Sequence, residues 1–378
     1  MTDSGRPPLR IAFIGLKCYD LLVGAETPRY LGGIERQFVA LARAVKAAGH
    51  EVSFLTYDHG DSEAQSRDGV RIIPAFGPDQ GLPILRFLFP RMFGIRRALS
   101  GIPFDYIFQM GAGTETLASA LACGEGPGPR RFVFFAASDS DCRKDLPLIR
   151  HAREKVAYRQ GLSRADAVFV QSDAQAKLMA QSYGVASTPL VMPAGRTDSV
   201  PDLERSVDRV LWLGRVSREK RPHLLAELAK LRPNVEFDVV GDANVQGDYA
   251  EEQKAALSEI PNVTVHGKVS ESQLKALFET AAVVCNTSEI EGFPTTFLEA
   301  WSLGIPVVST FDPDNLIGKN GLGVAAANVH ELANGLDQMT AGTPSFAQSR
   351  HRCLEFFASN YSGSAIVSKL FRTLADSS

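Results

Sequence analysis

The sequence contains few cysteines and no excess of positive charge. Its five cysteines are widely scattered, which is not the pattern of a disulfide framework or a zinc site and indicates reduced thiols. The 40 Lys and Arg residues stand against 43 Asp and Glu, so the formal net charge is -3 and no overall field attracts nucleic acid. The seven histidines lack the spacing of metal ligands, and none is assigned to a metal.

Long hydrophobic runs are missing as well. The N-terminal stretch MTDSGRPPLR leads into an apolar strand without the hydrophobic core of a signal peptide. No segment has the length and hydrophobicity of a membrane-spanning helix, and no motif repeats at a fixed period. The first strand, LRIAFIG, is followed by LKCYD rather than by the GxGxxG motif of dinucleotide-binding oxidoreductases. We therefore expect a cytoplasmic globular protein of another class.

The sequence does contain a regular alternation of short apolar runs and longer segments with helical spacing. This alternation is typical of parallel sheets covered by helices on both faces. It begins at residues 9–15 and begins again at RVLWLG (209–214), after a polar passage that contains proline. We therefore predict an α/β protein of two doubly wound domains, residues 1–195 and 196–350, followed by a helical tail over residues 351–378.

The stretch EGFPTTFLEAW, which begins at Glu291, lies between two predicted strands, AVVCNTS and PVVST. Pro294 is a favoured first residue of a helix, which leaves Glu291 in the preceding loop. Thr295, Glu299 and Ser302 then follow one side of that helix. A solvated glutamate is the simpler interpretation. A helix covered by its neighbours, however, leaves Glu299 in need of a partner, such as the two hydroxyls of a ribose.

A second motif, WLGRVSREKRP, places Arg215 and Lys220 around a turn directly after a strand that ends at Gly214. Taken alone, these side chains fit equally well as surface cations of a loop and as contacts to a phosphate. The presence of the glutamate pair further along the chain favours the phosphate.

Together the two motifs resemble those of the retaining glycosyltransferases of family 4. EGFPTTFLE is similar to the E-x7-E signature of that family, WLGRVSREKRP to its phosphate-binding segment, and YLGGIERQFVALARAVKAAGHEV to its N-terminal Gly-Gly loop and helix. The resemblance covers nearly the whole chain, and EGFP resembles a subgroup of bacterial surface-polysaccharide pathways. It implies the GT-B fold, in which two Rossmann-like domains face each other across a cleft and the C-terminal helix packs back on the N-terminal domain. Arg218 and Arg221 have no role in the family motif, so we expect them to be solvated.

This resemblance implies transfer of a sugar, with retention, from a nucleoside-diphosphate-sugar donor to a hydroxyl of a saccharide or lipid-linked acceptor. No metal or other cofactor would be required. Arg215 and Lys220 would stabilise the charge on the leaving diphosphate, Glu291 would hold hydroxyls of the donor sugar, and Glu299 would bind the ribose. The other donor-binding residues implied by the motifs are Gly32, Gly33, Gly214, Gly241, Gly292, Phe293, Pro294 and Thr295.

The sequence departs from the family pattern after the strand RRFVFFA. A histidine is common there, whereas this chain has Ala137 and Ser138, so Ser138 and Asp139 are tentative contacts to the sugar or the acceptor. Asp139, Ser140 and Asp141 also form a DxD triplet, which holds a divalent metal in glycosyltransferases of the other architecture. A metal would be redundant beside the two cations of the phosphate-binding segment, and we expect none.

The stretch over residues 82–100 combines Leu, Ile and Phe with four arginines. It could rest on an anionic membrane that carries a lipid-linked acceptor. A loop and short helix packed in the N-terminal domain is an equally good interpretation, because Pro83, Pro90 and Gly94 interrupt any long helix.

Two further functions fit the architecture, a nucleotide-sugar epimerase and a nucleotide-sugar-binding scaffold that has lost transfer. Only a transferase needs an acceptor for rapid release of the diphosphate.

Overall fold

The protein consists of two compact units. They comprise Met1–Pro193 together with Gly363–Ser378, and Ala194–Ser362. The predicted boundary between residues 195 and 196 falls at the edge of segment 195–207, which lies outside the described residues. The computed structural model describes residues 7–26, 29–30, 33–60, 65–81, 87–124, 129–194, 208–242, 248–289, 291, 293–339 and 342–376.

In the described residues, the first unit is built on an eight-stranded sheet, and one of its edge strands is antiparallel to its neighbour. The strand order is β3-β4-β2-β1-β5-β6-β7-β8, with β3 antiparallel to β4. The strands are β1 (Arg10–Ile14), β2 (Glu51–Tyr57), β3 (Gln65–Arg67), β4 (Val70–Phe76), β5 (Tyr106–Met110), β6 (Arg131–Phe135), β7 (Ala167–Val170) and β8 (Thr188–Pro189). The helices between them are α1 (Tyr19–Val23), α2 (Gly33–Ala47), α3 (Phe93–Ser100), α4 (Thr114–Cys123), α5 (Asp139–Cys142), α6 (Ala152–Leu162) and α7 (Asp173–Tyr183).

Phenylalanines dominate the core of this unit. Phe13 on β1 stacks on Phe54 of β2 with ring centroids 5.5 Å apart, and its ring lies 5.0 Å from Phe38 of α2. Phe108 and Phe135 continue the cluster across β5 and β6, with centroids 5.3 Å apart. Each fully buried ring removes enough apolar area from water to contribute about 2 kcal/mol. The continuous apolar runs of the sequence therefore correspond to strands that are buried on both faces.

The second unit is built on a six-stranded sheet that is parallel throughout, with the order β11-β10-β9-β12-β13-β14. Its strands are β9 (Arg209–Leu213), β10 (Glu236–Val240), β11 (Val263–Gly267), β12 (Ala281–Asn286), β13 (Val307–Ser309) and β14 (Gly323–Ala325). Its helices are α8 (Pro222–Leu231), α9 (Asp248–Ser258), α10 (Glu271–Thr280), α11 (Thr295–Ser302), α12 (Leu316–Asn320), α13 (Val329–Gln338) and α14 (Pro344–Asn360). The prediction of two Rossmann-like units with doubly wound parallel sheets is confirmed.

The C-terminal tail is shared between the two units. Helix α14 packs on α11, where Phe356 lies 5.6 Å from the ring of Trp301. The last helix, α15 (Gly363–Asp376), packs on α2 of the first unit, and the Nζ of Lys369 donates to the carbonyl of Pro189 at 3.0 Å. We placed all of residues 351–378 on the N-terminal domain. The structure assigns residues 351–362 to the second unit instead, because α14 is anchored there by its aromatic contacts.

Within the described part of the chain, no helix combines the length and hydrophobicity needed to cross a bilayer.

Candidate functional site

In the second unit, the predicted motifs meet at the point where the strand order changes direction. The chain places β10 and β11 on one side of β9, and β12, β13 and β14 on the other. The predicted phosphate-binding segment follows β9, and the loop with Glu291 follows β12, its neighbour in the sheet. Because all of these strands are parallel, both loops emerge at the same edge. Open α/β sheets bind their ligands at this position.

Two glycines allow the backbone at this edge to pack closely. Gly241, directly after β10, has a φ of +136°, and a Cβ there would stand 1.8 Å from the carbonyl oxygen of Gly214. A Cβ at Gly214 would lie 3.2 Å from the ring of Trp212. Glycine is therefore needed at position 241 for both its φ and its contact. Both residues are predicted for the donor site, and their close packing positions the start of the predicted phosphate-binding segment.

Lys220 and Glu291 form an ion pair. Their side chains are only 18% and 14% exposed, and the Nζ of Lys220 contacts the Oε1 of Glu291. The same oxygen accepts from the Oγ of Ser288 at 2.6 Å and from the Nδ2 of Asn286 at 3.5 Å. The structure thus brings together two side chains separated by 71 residues in sequence, with a cation and an acceptor available to one ligand.

Arg215 lies on the solvent side of the same turn. Its guanidinium is 3.5 Å from the Oε1 of Glu219, and the two side chains are 55% and 47% exposed. A hydrogen bond from its own backbone N–H lowers the pKa of Glu219, and the nearby cations Arg215 and Lys220 lower it further. Arg215 is therefore at the predicted turn, and its ion pair is with Glu219, separate from the partly buried pair of Lys220 and Glu291.

The expectation that Arg221 is solvated is wrong. Its Nε donates to the carbonyl of Thr287 at 2.8 Å, and its terminal nitrogen donates to the carbonyl of Ser288 at 3.0 Å and to the Oγ1 of Thr310 at 2.8 Å. It joins the predicted phosphate-binding segment to the ends of β12 and β13. Arg218 lies over the ring of Tyr249 at 4.4 Å.

Helix α11 begins one residue later than we predicted. Pro294 is the residue before the helix, because its ψ of 111° is extended rather than helical. Thr295 and Glu299 are half-buried. Ser302 is buried, and its hydroxyl donates to the backbone carbonyl of Glu299 at 2.7 Å. Phe293 is buried, with its ring 5.6 Å from that of Tyr361. Its side chain therefore anchors the loop. Gly292 lies outside the described residues.

The first unit holds the remaining predicted residues. Gly33 is the exposed first residue of α2, and Gly32 lies outside the described residues. Ser138 precedes α5, where its hydroxyl is 2.6 Å from that of Ser140, and the Oδ1 of Asp139 accepts from the Nε2 of Gln175 at 2.9 Å. These contacts hold the start of α5 together and join it to α7, and a role for Ser138 or Asp139 toward a sugar stays a prediction.

The carboxylate of Asp141, the last residue of the DxD triplet, points into the protein. Its Oδ2 accepts from the backbone nitrogen of Ala137 at 2.7 Å and from that of Ser138 at 3.3 Å. Burial raises the pKa of Asp141, although these hydrogen bonds and one from the backbone of Ala112 act in the opposite direction. The triplet is thus the start of a helix. In the described segments, no three His, Cys, Asp or Glu side chains converge as a metal site would require.

Sequence reasoning missed Asn286 and Ser288, which contact Glu291. Both lie in the polar run Asn-Thr-Ser at the end of an otherwise apolar strand, and this change in composition was the available signal. Thr287 of the same run accepts from the indole nitrogen of Trp212 at 3.0 Å and donates to the carbonyl of Lys220 at 2.6 Å.

Two family models match this chain. Residues 207–341 match the model of the glycosyl transferases group 1, and residues 32–195 match the glycosyl transferase 4-like domain. One curated relative is the GalNAc-alpha-(1->4)-GalNAc-alpha-(1->3)-diNAcBac-PP-undecaprenol alpha-1,4-N-acetyl-D-galactosaminyltransferase of Campylobacter jejuni. It is 25% identical over 279 residues, which cover 71% of this chain and 73% of the relative.

Two solved structures show the same fold. The sucrose-phosphate synthase of Thermosynechococcus elongatus has a TM-score of 0.70 at 18% identity. The matched region covers 98% of this chain and all of the synthase chain. HepE of Anabaena, in complex with UDP-glucose, has a TM-score of 0.68 at 16% identity. The matched region covers 97% of this chain and all of the HepE chain.

Proposed function

Because the chain belongs to the group 1 glycosyl transferases and carries a glycosyl transferase 4-like domain in its N-terminal half, we propose that it is a retaining enzyme with a nucleoside-diphosphate-sugar donor. The observation that carries this proposal is the contact of Lys220 with Glu291 at the switch point of the second sheet. A cation for a diphosphate and a carboxylate for sugar hydroxyls are needed side by side in such a donor site.

In the proposed reaction, the bond between the anomeric carbon and the terminal phosphate oxygen breaks, and negative charge grows on the diphosphate. Lys220 stabilises this charge from the partly buried side of the turn, and Arg215 from the solvent side. Lys220 exchanges its contact with Glu291 for the phosphate, and Glu291 then accepts hydrogen bonds from the sugar. Glu299, on the half-buried side of α11, accepts from the ribose hydroxyls.

Retention follows if the acceptor attacks the face from which the diphosphate departs. The acceptor oxygen forms a bond to the anomeric carbon, and its proton passes to the departing phosphate oxygen, so no enzyme nucleophile takes part. Lys220 and Arg215 supply the positive charge that a divalent metal supplies elsewhere. We therefore propose that the reaction does not need a metal.

We infer that the acceptor is a lipid-linked saccharide. The support comes from the relative of Campylobacter jejuni, whose name describes an undecaprenol-diphosphate-linked saccharide as its substrate. Production of a surface polysaccharide or glycolipid in bacteria is the corresponding proposed role.

An exposed surface of the first unit supports peripheral contact with a membrane. Leu88, Phe89 and Phe93 are 36%, 60% and 53% exposed, whereas Ile95 and Leu99 on the other side of α3 are buried. Arginines 91, 96 and 97 lie in the same stretch, and the described residues 87–100 contain no Asp or Glu. Apolar side chains beside cations suit an anionic bilayer surface. Residues 82–86, the start of the predicted stretch, lie outside the described residues.

Sedimentation with lipid vesicles tests this contact. We expect more protein to bind vesicles that contain phosphatidylglycerol than vesicles of phosphatidylcholine alone, and Phe89→Ser with Phe93→Ser to lower the bound fraction. Leu148→Ser is the matched control, because Leu148 is 78% exposed outside this stretch. Equal binding by the double variant and the control contradicts the membrane surface.

The enzymatic proposal is tested with UDP-, GDP- and ADP-sugars, each with and without a polyprenyl-diphosphate-linked saccharide. We expect one nucleotide diphosphate to be released rapidly only when the acceptor is present, and the anomeric proton of the product, observed by NMR, to show the configuration of the donor. Release that does not depend on the acceptor, or an inverted product, contradicts the proposal.

A further inference from the structure

Arg221 occupies an unusual backbone conformation at the end of the phosphate-binding segment. Its φ of 46° and ψ of 56° are left-handed, between the 3-10 turn Arg218–Lys220 and Pro222, the first residue of α8. A residue with a Cβ is unfavourable in this region, whereas glycine adopts it readily. Arginine at this position therefore needs a compensating interaction.

The side chain provides that interaction with three hydrogen bonds. The Nε of Arg221 donates to the carbonyl of Thr287. One terminal nitrogen of the guanidinium donates to the carbonyl of Ser288 and to the hydroxyl of Thr310. The two carbonyls follow β12 and the hydroxyl follows β13. A planar guanidinium can reach three acceptors on two loops at fixed angles, which a lysine ammonium on a flexible stem cannot do.

The residues that accept these hydrogen bonds also contact both members of the ion pair, Lys220 and Glu291. Thr287 donates through its hydroxyl to the carbonyl of Lys220, and Ser288 donates through its hydroxyl to the carboxylate of Glu291. Thr310 donates to the carbonyl of Ser288 at 3.0 Å. Arg221 directly follows Lys220 in the chain. Its side chain holds the segment that contains Ser288, whose hydroxyl donates to Glu291.

We propose that Arg221 is a positioning residue of the donor site. It fixes the Asn-Thr-Ser segment after β12 against the phosphate-binding turn, so that Lys220 and Glu291 lie within reach of one ligand. Arg221 itself contacts neither reacting group. This inference rests on the proposed function, since it assigns the two positioned side chains to the donor.

The informative variants are Arg221→Gly and Arg221→Lys. Glycine removes the hydrogen bonds and also relieves the left-handed strain, so the melting temperature is expected to stay near that of the wild type. Lysine keeps the charge without the planar geometry. The matched control is Arg232→Gly at the other end of α8, where Arg232 binds both carboxylate oxygens of Asp337 at 2.8 and 2.6 Å.

Kinetics separate positioning from a merely structural role. With the donor that the wild type uses, Arg221→Gly is expected to lower kcat/KM about 100-fold, since a displacement of about 1 Å at a reacting group has that effect. Arg221→Lys is expected to restore only part of the loss, and Arg232→Gly to leave kcat and KM unchanged. Wild-type kcat and KM in Arg221→Gly overturn the proposal.

Hydrogen exchange tests the same inference without any donor. The backbone nitrogen of Glu289 donates to the carbonyl of Glu219 at 2.9 Å, which joins the two loops beside Arg221. Peptides that span residues 285–291 are expected to exchange faster in Arg221→Gly than in Arg232→Gly. Equal exchange overturns the positioning role. If the wild type accepts no nucleotide sugar, the proposed function fails, and the exchange result still decides the role of Arg221.

Discussion

The most informative single substitution at the site is Gly241→Ala. It adds one methyl group where β10 ends, at a φ of +136° and 1.8 Å from the carbonyl oxygen of Gly214. Ordinary contact begins at 3.4 Å. The strand end and the predicted phosphate-binding segment must therefore separate by about 1.6 Å in an interior that is otherwise closely packed.

Two effects follow from this geometry. The forced backbone conformation and the clash together are expected to lower the free energy of unfolding by about 3 to 5 kcal/mol. The displaced segment carries Arg215 and Lys220, so turnover of the protein that remains folded is expected to fall by about 100-fold or more. The loss of activity should thus exceed what the unfolded fraction explains.

Urea unfolding, followed by steady-state kinetics below the transition, measures both effects. Gly342→Ala is the control, because Gly342 also has a left-handed φ, +90°, but among the described residues no atom beyond its chain neighbours lies within 4 Å of the added Cβ. We expect that control to cost about 1 kcal/mol and to keep its turnover. If Gly241→Ala is as stable and as active as Gly342→Ala, then the close packing of Gly241 on Gly214 does not position the site.

Three further predictions address the charges of the molecule. Lys220→Ala is expected to lower kcat about 100-fold, and a kcat within twofold of the wild type would contradict its role at the diphosphate. Incubation with EDTA should leave turnover unchanged, whereas a loss that is restored by Mg²⁺ or Mn²⁺ would show that a metal takes part. Burial raises the pKa of Asp238, but hydrogen bonds from Arg209 and His266 outweigh it and lower the pKa below its usual value. Asp238 therefore stabilises the fold above about pH 4, and this contribution is lost as the pH falls through the lowered pKa. Asp238→Asn should accordingly be less stable at pH 7 and should lose less stability on acidification, and parallel acid unfolding curves for the two proteins would refute this.

The elements of the fold could be predicted because they depend on local patterns. Buried parallel strands read as apolar runs, and the second series of strands begins at Arg209, as predicted from RVLWLG. Helix α11 ends at Ser302, and Gly304, two residues further on, has a left-handed φ of +69°, as is common directly after a helix. The end of the second unit could not be predicted, because it depends on which helix the aromatic side chains of α14 contact.

The site was predictable in part for the same reason. Lys220 and Glu291 each stand in a recognisable motif, but their contact depends on the order of β9 and β12 in the sheet, which no local pattern contains. Arg221 has no sequence signal, since its role comes from a left-handed backbone and acceptors 66 to 89 residues away. The buried position of Asp141 could not be predicted either, because a short DxD pattern does not show whether its last carboxylate points into the protein.

The central claim is that the second unit binds the diphosphate bridge of a nucleotide sugar between its cations and its glutamates. A crystal structure of the wild type soaked with the donor that stabilises it most in a thermal-shift screen tests this directly. The account predicts the diphosphate against Lys220 and Arg215, the sugar beside Glu291 and the ribose at Glu299. Ligand density elsewhere, with the contact between Lys220 and Glu291 unchanged, would contradict it.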